Sequence, residues 1–166
     1  MVKCWEMRKV YLKKNVYDGM NHELKNRLPI VFPHREKPKM ISECQDETPA
    51  FNELLEEEVA PETFHCSDAF FWFTPEGFIY FFPALIRCSF EDFEKCVPAI
   101  EQVLDNFCDY FGSTYDSMQI TRKWELFSVE QIEYILKWLQ WIEGNYPFDE
   151  NLKHAKESLL LMTSNS

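Results

Sequence analysis

Residues 68–90 read DAFFWFTPEGFIYFFPALIRCSF, and nine of these twenty-three residues are Phe, Tyr or Trp. Large aromatic side chains dominate the energetics of protein cores, because each of them removes much apolar surface from water. The rest of the chain therefore has to cover this aromatic centre, as we call residues 68–90. How the centre itself folds decides the architecture of the molecule.

The middle of the aromatic centre, residues 74–77 (TPEG), is compatible with two structures. A type I turn favours Pro at its second and Gly at its fourth position, which would make 70–82 a small β-hairpin. Alternatively, Thr74 is an N-cap and Pro75 the first residue of a helix. Pro83 costs about 3 kcal/mol inside a helix, so this alternative predicts two short helices that meet at Pro83. The helical patterns on both sides favour the helices.

An amphipathic helix with an acidic outer surface is predicted over 49–59, because Thr48 suits an N-cap and Pro49 the first helical position. Its apolar face consists of Phe51, Leu54, Leu55 and Val59. The other predicted helices lie within 15–28, over 98–111, over 129–143 and after Asp149.

The helix over 129–143 begins at a capping box, in which Ser128 and Gln131 bond each other's backbone N–H groups. It carries two neighbouring apolar stripes. The first consists of Ile132, Ile135, Leu136, Leu139 and Ile142, and the second of Tyr134, Trp138 and Trp141. The second stripe is either further core packing or an exposed recognition patch.

The length of 166 residues suits one domain that buries roughly two-thirds of its unfolded surface. With 46% hydrophobic residues and four glycines, the chain should fold compactly. We predict a mainly α, single-domain bundle of about five to seven helices, with the hairpin at 70–82 as the β alternative. Residues 1–39 form a basic N-terminal segment with one helix and an irregular connection, 40–162 a helical domain and 163–166 a frayed tail.

The net charge of −11 is unevenly distributed. Residues 1–39 hold ten Lys or Arg against four Asp or Glu, whereas 40–86 hold ten Asp or Glu and no Lys or Arg. Residues 87–166 hold seven basic and fourteen acidic residues. We expect no nucleic-acid partner, because such binding depends on Lys and Arg that neutralise phosphates. The basic segment should dock on the acidic one, with an independent basic binding arm as the alternative.

The sequence contains no motif of a known reaction. It lacks a Gly-rich phosphate loop, a GxSxG elbow, an HExxH helix and an EF-hand loop. The six cysteines include no CxxC pair, so buried, reduced cysteines are favoured over a metal site formed by His65, Cys66, Cys88 and Cys96. We therefore predict a protein that is not an enzyme and that uses no cofactor or metal.

No window approaches the roughly 18 uninterrupted apolar residues that a membrane span needs. The N-terminus, MVKCWEMRKVYLKK, is basic but has no apolar stretch behind it. We therefore expect a cytoplasmic protein without a membrane partner.

Residues 73–84, FTPEGFIYFFPA, resemble the signature of a family of small uncharacterised bacterial proteins that is described only as a domain of unknown function. In that family a Thr/Ser-Pro-Glu segment runs into aromatic residues and then Pro-Ala. Residues 127–131, FSVEQ, are similar to its second recurring piece, so the resemblance spans about 40–145. It implies a bacterial origin and a mostly helical domain, and it brings no catalytic residues to transfer.

Small size, acidic charge, aromatic content and the lack of catalytic motifs lead to the hypothesis of a bacterial immunity protein. Such a protein binds a cognate toxin, here a basic one, and blocks its active site. Charge attraction speeds the association, and a few aromatic anchors set the lifetime of the complex. The predicted steering residues are Glu53, Glu56, Glu57 and Glu58, and the predicted anchors are Trp138 and Trp141.

The alternative is a small-molecule-binding module or an unrecognised enzyme, in which the aromatic centre lines a pocket. Glu76 would be its polar group, since burial among aromatic residues raises the pKa of a carboxyl. A helix-start anion is the structural explanation of the same residue. An open cleft faced by Glu76 would favour this alternative, and a closed core around 70–82 would argue against it.

Overall fold

The computed structural model describes residues 14–42, 44–65, 67–108, 123, 126–145 and 150–164. These ranges contain eight α-helices, and their mainly α architecture confirms the predicted fold class. In chain order the helices are α1 (Lys14–Val31), α2 (Pro49–Asn52), α3 (Pro61–Phe64), α4 (Ala69–Trp72), α5 (Pro75–Glu91), α6 (Phe93–Cys108), α7 (Val129–Asn145) and α8 (Glu150–Ser164). Two 3₁₀ turns, Gln45–Glu47 and Glu56–Glu58, flank α2.

Helix α5 is the centre of the core. It begins at the N-cap Thr74, whose hydroxyl accepts a hydrogen bond from the Gly77 N–H at 3.0 Å. Every residue of 77–82 is buried. The β-hairpin alternative over 70–82 is therefore wrong. The described ranges contain no strand, only an isolated bridge between Ser42 and Phe73.

Helix α5 continues through Pro83, so the prediction of two short helices that meet there is wrong. Pro83 has no N–H to donate to the carbonyl of Ile79, which costs a helix about 3 kcal/mol. The side chains of Phe82, Ala84 and Leu85 beside it are fully buried. Tertiary packing of this apolar run outweighs the local cost, as it commonly does for helices in proteins.

The other helices surround α5. Helix α6 packs against α3, α4, α5 and α8, while α7 lies between α1 and α8. Helix α1, which belongs to the basic segment, also packs against α5. One hydrophobic core therefore receives side chains from all of the long helices.

Helix boundaries differ from the predicted ones at several ends. Helix α1 continues beyond residue 28, and α6 begins at Phe93 rather than at 98. The capping box is confirmed, since the N–H of Ser128 donates to the Gln131 side chain at 3.0 Å and the Gln131 N–H to the Ser128 hydroxyl at 3.3 Å. Residues 109–111, Asp149 and the last two residues of the predicted frayed tail lie outside the described residues.

None of the helices in the described ranges is long and apolar enough to cross a membrane.

Candidate partner-binding surface

The predicted helix over 49–59 is wrong beyond Asn52, where α2 ends. The ammonium group of Lys37 donates to the carbonyls of Phe51 and Asn52 at 3.1 and 2.7 Å, and these are acceptors that a longer helix would use. It also donates to the carbonyl of Leu54 at 2.7 Å. Hydrogen bonds from a charged donor are stronger than those from a backbone amide. Because Lys37 occupies these carbonyls, helix α2 ends at Asn52.

We call residues 53–58 the acidic ridge, and two of its N–H groups bind side-chain acceptors rather than helix carbonyls. The N–H of Leu55 donates to the carboxylate of Glu58 at 2.8 Å, and the N–H of Glu56 donates to the hydroxyl of Tyr80 at 3.1 Å. Tyr80 belongs to the buried part of α5. The backbone of the ridge is thus fixed to the core.

Arg87 of α5 holds the end of the acidic ridge. Its guanidinium group donates to the carbonyls of Glu56 and Val59 at 3.1 and 2.8 Å and lies 3.5 Å from the Glu91 carboxylate. Burial raises the pKa of the Glu56 carboxyl, and the Arg87 charge acts against this rise. Arg87 therefore binds the backbone of the ridge, and no Lys or Arg of the described residues forms a salt bridge with the ridge carboxylates.

The carboxylates of the ridge point outward. Glu53, Glu57 and Glu58 are exposed, and Glu56 is half-buried. The Glu57 carboxylate lies 3.9 Å from the His34 ring, whereas the carboxylate of Glu53 makes no hydrogen bond or salt bridge with a described residue. The structure therefore brings all four predicted steering residues together on one fixed, strongly negative segment.

The two predicted aromatic anchors lie in the core, with 0% of Trp138 and 6% of Trp141 exposed. The ring of Trp138 meets Phe82 at 5.7 Å, and that of Trp141 meets Phe90 at 4.8 Å. The apolar arc of α7 is wide because α1 and α8 both cover it. Neither indole is available to a partner, so we assign both residues to core packing, which was the other interpretation of this stripe.

Glu76 is exposed in the first turn of α5, as expected of a helix-start anion. The rings of the aromatic centre contact one another, for example Phe73 and Phe81, which stack at 5.2 Å. A narrow cleft between Arg35 and Tyr80 has room for about one water molecule. The geometry at Glu76 thus offers no support for an aromatic pocket.

Cysteines and histidines form no group that could hold a metal within the described ranges. Burial raises the pKa of the Cys88 thiol to about 11 and that of Cys96 to about 12. The thiol of Cys88 contacts the Val59 carbonyl at 3.4 Å. Both thiols are therefore protonated and unreactive at neutral pH. Cys66, one of the four residues of the metal site considered above, lies outside the described residues.

Two exposed aromatic residues of α4, Phe71 and Trp72, were not among the predicted site residues. Their neighbours Phe70 and Phe73 are buried. The exposure of Phe71 and Trp72 could have been predicted by treating 70–73 as a helical turn. Phe70 and Phe73, three residues apart, then share the buried face, and the two residues between them point away from it. This pattern was hidden by the uniform aromatic composition of the segment.

A scan against family models finds no match to this chain, and searches of curated proteins and of solved structures find none either.

Proposed function

We propose that this chain is a bacterial immunity protein of the cytoplasm, which binds a cognate basic toxin and neutralises it by protein–protein contact. The observation that carries the proposal is the acidic ridge, whose exposed carboxylates sit on a backbone held by Lys37, Tyr80 and Arg87. Such an inhibitor needs no catalytic group of its own. It needs a surface complementary to that of the toxin.

A fixed ridge of like charges is costly for the protein that carries it, because neighbouring carboxylates repel one another. A cationic partner relieves this repulsion when it binds. The ridge therefore favours a partner with a positively charged surface. Attraction between opposite charges also raises the association rate constant and makes it fall with salt. Rapid capture suits an inhibitor that has to reach its toxin before the toxin reaches its target.

The proposal is tested with the basic protein encoded beside this chain's gene, first by growth rescue on co-expression and then with the purified pair. We expect a one-to-one complex. Replacing two exposed carboxylates, Glu53→Gln with Glu57→Gln, should lower the association rate constant about tenfold at low salt and weaken its salt dependence.

A matched control removes the same charge from other helices. Glu101→Gln with Glu133→Gln changes two exposed carboxylates of α6 and α7, and neither makes a salt bridge to a described residue. This variant should bind nearly as fast as the wild type. Equal association rate constants for both double variants would show that the ridge does not steer the partner. The proposed function would be overturned if the neighbouring gene encodes no toxin and expression of this chain protects cells from no toxin.

A further inference from the structure

Two adjacent aromatic side chains of α4 stand in solvent beside the closed core. Phe71 is 49% exposed and Trp72 42%, although Phe70 and Phe73 on either side are 1% and 2% exposed. Aromatic residues are enriched at protein interfaces, and Trp is among the residue types that carry most of the binding energy there. The pair is therefore a candidate for the aromatic anchors, since Trp138 and Trp141 are buried.

The backbone of this pair is held from several sides. The carbonyl of Phe71 accepts from the ammonium of Lys123 at 3.4 Å, and that of Trp72 accepts from the hydroxyl of Ser42 at 3.0 Å. The indole N–H of Trp72 also donates to Asp68 at 3.4 Å. A preorganised side chain loses little freedom on binding, so more of its contact energy appears as affinity.

A third exposed apolar residue, Met40, belongs to the segment that runs beside this pair. The hydroxyl of Thr74 donates to the Met40 carbonyl at 3.0 Å, and Ser42 pairs with Phe73 in an antiparallel bridge. Met40 is thus an exposed residue of this neighbouring segment, and we call Phe71 and Trp72 the aromatic patch.

The exposed charged residues that flank the aromatic patch in the chain are negative. Asp68 and Glu76 are exposed on either side of it, and residues 40–86 contain no Lys or Arg. The ammonium of Lys123 is buried under the pair, where it contacts the carbonyls of Phe70 and Phe71, and the exposed Lys39 precedes Met40. A second copy of this chain would bring its own carboxylates against these, which is unfavourable. The charge pattern selects a cationic partner.

From this geometry we infer that the aromatic patch is the anchor of the partner interface, and that it fits a protein surface with apolar side chains flanked by Lys or Arg. The inference rests on the proposed function, since it names the contact that would hold the same toxin. The acidic ridge governs how fast the partner arrives. The aromatic patch governs how long it stays.

The test uses a random peptide library displayed on phage and selected on the full chain. Enriched peptides should carry Trp, Phe, Leu or Met next to Lys or Arg. Their affinity should fall about thirtyfold with Trp72→Ala, mainly through faster dissociation, and by a smaller factor with Phe71→Ala. Because both side chains are exposed, the melting temperature of these variants should stay near that of the wild type.

The matched control is Leu160→Ala with Leu161→Ala, which removes two apolar side chains of similar exposure, 55% and 48%, from α8. It should leave peptide affinity unchanged. Peptides without basic residues, peptides indifferent to both α4 variants, or self-association in sedimentation that Trp72→Ala abolishes would each overturn the inference.

The two proposals fail separately. A neighbour-encoded toxin that binds through the ridge and ignores Phe71→Ala and Trp72→Ala overturns the anchor and leaves the immunity function standing. Basic, apolar peptides that depend on Trp72, combined with the absence of any toxin, support the anchor and overturn the immunity function.

Discussion

The indole N–H of Trp138 donates to the hydroxyl oxygen of Ser89 across 3.0 Å in the centre of the molecule. Both residues are buried, and the Ser89 hydroxyl in turn donates to the carbonyl of Ile86 at 2.7 Å. This chain of hydrogen bonds joins α7 to α5 and leaves the polar atom of a buried Trp with a partner. Trp138 thus has a structural role that a position on the surface would not provide.

Trp138→Phe should therefore destabilise the fold. It removes the only donor to the Ser89 hydroxyl among the described residues, and a buried acceptor without its partner costs about 1–3 kcal/mol. Trp141→Phe makes the same chemical change at an indole N–H that has no hydrogen bond to a described residue. Chemical denaturation should show the larger loss in the free energy of unfolding for Trp138→Phe. Equal losses would mean that the hydrogen bond contributes nothing beyond packing.

Gly77 allows α5 to touch the segment before α2. A methyl group added at Gly77 would lie 2.1 Å from the carbonyl oxygen of Ile41, which is backbone and has no room to move aside. Gly77→Ala should lower the free energy of unfolding by about 1–3 kcal/mol or more. The control is Gly19→Ala in α1, where nothing lies within 4 Å and Ala should stabilise by about 0.5–1 kcal/mol. Thermal melts that shift in the same direction for both would contradict this account.

The elements that sequence reasoning found are those fixed by neighbours in the chain. Ser128 and Gln131 satisfy each other within three residues, so the start of α7 was predictable from the pattern alone. The helix over 49–59 failed because the decisive donor, Lys37, comes from another segment and no periodicity reveals it. The clustering of the four ridge carboxylates was predictable because they follow one another in the sequence, whereas the burial of Trp138 depended on how α1 and α8 cover α7.

The ion pairs of Lys95 should make stability depend on pH. Its ammonium lies 2.5 Å from Glu62 and 2.9 Å from Asp92, and the hydrogen bonds from Lys95 lower the pKa of both carboxyls. A lowered pKa in the folded state contributes stability above the unfolded value, which is then lost as pH falls through the folded one. The melting temperature of Lys95→Met should therefore lie below that of the wild type near neutral pH. The difference should shrink below about pH 4.

Lys137→Met is the control for this pH dependence, since Lys137 is exposed and makes no salt bridge to a described residue. It loses the same charge, so its melting temperature should follow that of the wild type through the acid range. A difference between Lys95→Met and the wild type that persists unchanged to about pH 3 would show that the carboxylates do not carry the effect.

The hydrogen bonds donated by the Lys37 ammonium, which we call the Lys37 clamp, connect the stability of the fold to the shape of the acidic ridge. The ammonium donates to three carbonyls, those of Phe51, Asn52 and Leu54. Lys37→Met should lower the free energy of unfolding by about 2 kcal/mol, because hydrogen bonds to a charged group are lost. Amide hydrogen exchange over 53–58 should accelerate more than exchange in α5, since the loss is local to the ridge.

Lys39→Met separates the clamp from net charge. Lys39 is exposed and has no hydrogen bond or salt bridge to a described residue, so this variant changes the charge by the same amount without touching the ridge. If the clamp orders the ridge, only Lys37→Met should both loosen 53–58 and slow association with a basic partner, even though it makes the protein more acidic. Equal exchange and equal association rates in the two variants would show that the ridge keeps its shape without Lys37.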